Sequence, residues 1–122
     1  MQALFEKIAP GKYQDRQANT YEVKGDGERR DINILEITLG SGSLAPSDLA
    51  DMCTVANATV LRETVKSSRA VSLSGRLPAW AVAALHHALK PSCDTLYQYD
   101  PKLGHVAVMQ HRGHVAIGAV VS

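Results

Sequence analysis

The chain has 122 residues, of which 45% are hydrophobic and 20% charged, and a formal net charge of +1. One domain of this length buries roughly 70% of the surface its unfolded chain exposes, and a near-neutral balance argues against extensive non-specific binding to long nucleic acid. Cys53 and Cys93 form no metal or redox spacing, and no apolar run approaches the roughly 20 residues of a membrane helix. A soluble cytoplasmic protein is expected, with no membrane and no double-stranded DNA as partner. The charge is unevenly spread. Residues 1–68 carry 8 basic and 10 acidic groups, whereas residues 69–122 carry 5 basic and 2 acidic groups and all five histidines. Anionic chemistry is therefore expected in the second part.

Residues 1–18 give no clear pattern, a mixed apolar start followed by a polar stretch. Thr20–Lys24 reads as a strand, closed by the turn-rich segment 25–30. Asn33–Leu39 is β-branched and partly alternating, a second strand, and residues 40–43 form a loop. Ser47 is placed as the N-cap of a helix starting at Asp48. Ala70–Leu73 is a third strand, and Pro78–Leu89 an alanine-rich helix of about three turns, apolar enough to be largely buried. Three strands close the chain, over Thr95–Tyr99, His105–Gln110 and His114–Val121. The near-identical pentapeptides at 104–108 and 113–117 suggest consecutive strands with similar packing. The sum is one α/β domain over residues 1–122, a compact mixed sheet with two main helices; residues 1–30 are poorly accounted for.

The junction Ser74–Gly75–Arg76–Leu77–Pro78–Ala79–Trp80 is the most informative stretch. Leu77, before proline, is biased to extended geometry, and Pro78 suits the first helical position. The backbone donors at Ala79 and Trp80 then point out of the helix start, where the dipole favours negative charge. Gly75 permits close approach of a ligand to the backbone, and Arg76 adds a planar fork matched to phosphate oxygens. Taken alone, the same residues also describe a plain strand-to-helix junction. Asp100–Pro101–Lys102–Leu103–Gly104 is likewise a competent hairpin turn whatever it binds. Trp80 is either a core or interface residue or an aromatic surface on which a ligand stacks.

Three elements in fixed order, Ser-Gly-Arg-Leu-Pro-Ala-Trp at 74–80, Tyr-Asp-Pro-Lys-Leu-Gly at 99–104 and His111 after a valine-rich strand, resemble the CRISPR-associated ring nucleases of the Csx-three family. The resemblance covers residues 70–112 well, 31–39 loosely and 1–30 hardly at all. It implies a CARF-like or ferredoxin-like domain forming a homodimer, and a pair of dimers closing on cyclic tetra-adenylate, which the family degrades with manganese to switch off type III CRISPR signalling. On that resemblance Ser74, Gly75 and Arg76 contact the messenger; Pro78 and Trp80, at the helix start, are further candidate binding residues. Asp100 matches the family's catalytic aspartate, Lys102 its arginine and His111 its downstream histidine, with Asp100 and His111 as metal ligands. The sequence departs twice. Lys102 is a point charge without a bidentate fork, and the histidine expected about nine residues before the aspartate is absent, leaving His86 or His87 as candidates.

The implied chemistry needs no external water. A ribose 2′-OH attacks the adjacent phosphorus in line, and the protein positions the sugar and neutralises growing charge. Lys102 supplies positive charge, His111 moves a proton or holds a metal, and Asp100 is a hard oxygen ligand or orients a histidine. Competing readings are a non-catalytic messenger-binding module, an exonuclease trimming 3′ adenosines of RNA, and a purely structural oligomerising domain.

Overall fold

The structure, a computed structural model, describes residues 3–26, 29–41, 43–64 and 69–122. Gly27 and Glu28 of the expected turn and Gly42 of the expected loop lie outside these residues. Eight strands form a single mixed sheet in sequential order: β1 (Phe5–Ala9), β2 (Lys12–Asp15), β3 (Thr20–Asp26), β4 (Arg29–Thr38), β5 (Ala70–Ser74), β6 (Thr95–Asp100), β7 (Gly104–Gln110) and β8 (Val120–Val121). The first four make an antiparallel meander, β4, β5 and β6 run parallel, and β6 to β8 are again antiparallel. The parallel pairs require crossovers, supplied by α1 (Leu49–Glu63) and α2 (Ala79–Leu89).

Both helices pack on one face of the sheet, as two successive crossovers of the same hand require. Met52, Val55 and Val60 of α1 and Leu85 and Leu89 of α2 share one cluster with Tyr21, Leu35, Ile37, Val71, Leu73 and Leu96. Each large aliphatic side chain in it contributes about 1.5–3 kcal/mol by leaving water. The period-two alternation sends the neighbouring residues to the other face: Ile34 aligns with Ser72, and Ser72 with Tyr97. There a smaller cluster of Ile32, Tyr97 and Ala107 is covered by Val115, Ala119 and Val121. Toward the carboxyl ends of the parallel strands this face stays open.

The expected α/β sheet with two helices is present, with four local corrections. Residues 5–15 form the hairpin of β1 and β2, whose following turn is held by the buried Asp15 carboxylate. That carboxylate accepts the backbone N–H of Gln17 and Asn19 and the Tyr21 hydroxyl. Ser47 caps nothing; Pro46–Asp48 is a 3-10 turn leading directly into α1. Pro78 is extended (φ −59°, ψ 150°) and precedes the helix, whose first residue is Ala79. Its carbonyl accepts the N–H groups of Ala81 and Val82, so Pro78 acts as the cap. The last expected strand, 114–121, is reduced to Val120–Val121.

Among the repeats, only the first pentapeptide is strand. His105 lies between paired β6 and β8 and is 3% exposed, whereas His114 sits in an exposed loop. Identical local sequence has different neighbours, and the neighbours decide.

Candidate functional site

The carboxyl ends of β4, β5 and β6 meet at one edge of the sheet, where open α/β sheets place their ligands. β5 ends at Ser74, and Gly75 turns the chain with φ 133°. A side chain at Gly75 would collide with the carbonyl oxygen of Ile37 on β4. The glycine is thus required by the neighbouring strand, a different reason from ligand approach. Arg76 follows, exposed, beside a groove of about 440 Å³ formed with Glu36, Thr38 and Leu39. The amides of Ala79 and Trp80 precede the first intrahelical bonds and meet no backbone acceptor among the described residues.

The β6–β7 hairpin ends at the same edge of the sheet and bounds a separate groove. Asp100 ends β6, and its Oδ1 accepts the N–H groups of Lys102 at 2.8 Å and Leu103 at 3.0 Å. This bracing explains the tightness of the turn and leaves Oδ2 without a partner among the described residues. Lys102 stands exposed at the tip. Gly104 (φ 100°) is glycine because a side chain there would strike the backbone of Val121. Between this hairpin and β3–β4 lies a second groove of about 530 Å³, lined by Lys24, Glu36, Ser74, Tyr99, Lys102 and His105 among others. Lys24 and Glu36 neutralise each other at 3.3 Å. Neither Arg76 nor Lys102 has a salt-bridge partner among the described residues.

Ser74, Gly75, Arg76, Asp100 and Lys102 are therefore brought to the same edge. Pro78 caps α2 and Trp80 stands in its first turn at that edge, but neither lines either groove; Trp80 is 42% exposed. His111 is elsewhere. It follows Gln110, which pairs with Thr95 at the start of β6, whereas Asp100 pairs with Gly104 at its end. The length of β6 separates them, roughly 17 Å at the rise of an extended strand. The His111 segment is pinned by the Asp94 carbonyl, which accepts the N–H groups of His111, Arg112 and Gly113. An Arg112–Asp94 ion pair at 3.1 Å reinforces it.

His86 and His87 belong to the later turns of α2, which runs back from the corner. His87 is exposed, while His86 is buried, its Nε2–H donating to Gln98 Oε1 at 2.8 Å. Nδ1 of His86 has no partner among the described residues, and desolvation lowers its pKa. Burial also pushes the Cys93 thiol up to about 12, so it is not a nucleophile near neutral pH.

Among the described residues no group of three or more His, Cys, Asp or Glu side chains converges on a common point. Within one chain Asp100 and His111 do not fit a shared manganese ion. No helix among these residues is long and apolar enough to cross a membrane. Sequence reasoning left Tyr99, Lys24 and Glu36 unassigned. Tyr99 was within reach, because strand alternation through Gln98, Tyr99 and Asp100 places its ring on the sheet face away from the helices.

No curated protein matches the chain. Residues 37–122, from the end of β4 through β8, match the family model described as CRISPR-associated protein (Cas_csx3). That span holds the Arg76 corner, the Asp100 hairpin and the His111 segment in one continuous match, and the chain belongs to this CRISPR-associated family.

Proposed function

We propose that the protein is a ring nuclease that binds cyclic tetra-adenylate at the carboxyl edge of β4–β6 and linearises it, switching off type III CRISPR signalling. The observation that carries this reading is the gathering at one open edge of Ser74, Gly75, Arg76 and Lys102, the last two without an ion-pair partner among the described residues, in a chain of CRISPR-associated family. A ring of four phosphates is matched by cations and free amides.

In the reaction a ribose 2′-oxygen bonds to the adjacent phosphorus and the bond from phosphorus to the 5′-oxygen breaks. The 2′-OH gives up its proton, the departing 5′-oxygen gains one, and the product ends in a 2′,3′-cyclic phosphate. Arg76 and Lys102 hold the non-bridging oxygens as charge grows on them. The Asp100 turn fixes Lys102, and His111 is the proton carrier of the set.

Because Asp100 and His111 stand at opposite ends of β6–β7, one copy supplies the binding edge and another brings His111. A homodimer, or two dimers around the ring, meets that requirement. Manganese belongs to the same assembly question, since only two copies can bring these two residues to one ion.

A second reading, a messenger-binding module without catalysis, is favoured by the lack of any histidine at the corner itself. Incubation of cyclic tetra-adenylate with the protein and manganese separates the two. Linear products with 2′,3′-cyclic phosphate ends are expected, with Asp100→Ala and His111→Ala each slower by about a hundredfold or more. An equal mixture of the two variants regains activity that neither has alone. Intact ring after prolonged incubation, with binding abolished by Arg76→Ala, leaves the binding module.

A further inference from the structure

The corner at Arg76 and the hairpin tip at Lys102 account for phosphates, but nothing so far occupies the groove of about 530 Å³ that runs from the hairpin across the open sheet face. Its size falls within the roughly 300–1,000 Å³ of small-ligand clefts. Its one large aromatic side chain in the open is Tyr99, 41% exposed. We infer that the Tyr99 ring is the stacking platform for a nucleobase, with the attached phosphate reaching Lys102 at the turn beside it. This rests on the reading of that edge as a nucleotide site.

The Tyr99 ring is braced from within. His105 lies against it with centroids 5.4 Å apart and planes tilted by 52°. His105 is itself 3% exposed and held to the fully buried Ser72 hydroxyl at 2.6 Å. The backbone beneath the ring pairs with β7 through the Tyr99–His105 register. One side of the ring thus rests on a fixed imidazole and the rest faces the groove. No hydrogen bond engages its hydroxyl among the described residues, so the ring's position does not depend on that group.

The next residue along the strand, Asp100, braces the turn that carries Lys102. The aromatic platform and the ammonium are therefore set by one short hairpin. Glu36, the carboxylate on the far side of the groove, is neutralised by Lys24 at 3.3 Å and does not oppose an anionic ligand. Stacking on such a ring accepts any base, because every base has a π face. The polar groups of the groove then set preference.

The test uses adenosine 5′-monophosphate and ribose 5-phosphate as probes, titrated by NMR into the wild-type chain, Tyr99→Phe and Tyr99→Leu. Both substitutions are at a partly exposed position, and Tyr99→Phe keeps the ring. The adenine H2 and H8 resonances should move upfield on binding to the wild type and Tyr99→Phe. In Tyr99→Leu that shift should vanish and the affinity for the nucleotide fall by roughly tenfold, the loss of one base-stacking contact. Ribose 5-phosphate should bind all three alike. Nucleotide binding unchanged in Tyr99→Leu, or equal losses for the two probes, overturns the inference, as does the absence of any ring-current shift in the wild type. The readout contains no bond cleavage. Tyr99-dependent binding of the nucleotide in a protein that leaves cyclic tetra-adenylate intact keeps the platform and removes the nuclease; ring opening with a Tyr99-independent nucleotide complex does the reverse.

Discussion

At His86 the physical argument runs from burial to pH. The imidazole is 4% exposed, donates one hydrogen bond to Gln98 and has no acceptor facing Nδ1. Desolvation of the charged ring lowers the pKa in the folded chain from 6.5, against the opposing hydrogen bond to Gln98, and a second N–H at Nδ1 would find no partner among the described residues. The unfolded chain then takes up the proton first. Stability contributed by neutral His86 is complete above about 6.5 and falls as the pH drops through the lowered folded value. Urea midpoints measured from pH 7.5 downward should decline below that point, and His86→Gln should flatten this part of the profile. An unchanged slope in the variant assigns the decline elsewhere. His86 and His87, adjacent in sequence, thus have separate fates: one is an internal hydrogen-bond donor beneath β6, the other is exposed.

At the scale of elements, the segment after β7 is held by the Gln110 side chain as well as by Asp94. The Gln110 amide donates to the Val115 carbonyl, while its Oε1 accepts the Val115 N–H at 3.2 Å and the Thr95 hydroxyl at 2.8 Å. Gln110→Ala removes these together and should cost roughly 1–3 kcal/mol. Hydrogen exchange should quicken across residues 112–118 while β5 and α2 stay protected; uniform protection would show that Asp94 alone holds the segment. The elements that were legible in sequence, β3 to β7 and α2, combine apolar runs with strong turn residues. β1 and β2 were not. β1 shows Phe5 half-buried and Glu6–Ala9 exposed at the sheet's edge, so burial imposes little pattern on it. Residues 113–117 misled for the opposite reason: they carry a strand-like pentapeptide but have no partner strand.

For the molecule as a whole, the edge that carries Arg76 and Lys102 and the segment that carries His111 lie at opposite ends of the sheet. A site that needs both must be completed by another copy, so the rate of ring opening per chain should rise with protein concentration until assembly is complete. A rate per chain that stays constant on dilution, well below any association measured by light scattering, would place the reaction within one copy and remove the role assigned to His111. The Arg76 corner should show the complementary behaviour. Arg76→Ala should weaken binding of the ring at every protein concentration and reduce the dependence of affinity on salt, because the contact is to phosphate.

Chain order and side-chain chemistry by themselves determined the strands β3 to β7, the helix α2, the presence of turns after β5 and β6, and the residues suited to phosphate. These depend on interactions reaching only a few positions along the chain. Which residues share a site was decided by the tertiary structure alone. The pairing of β6 with β7 sends Asp100 and His111 to opposite edges, and the packing of both helices on one face leaves Tyr99 over an open groove. Strand pairing acts between residues distant in sequence, and its direction is invisible to local patterning.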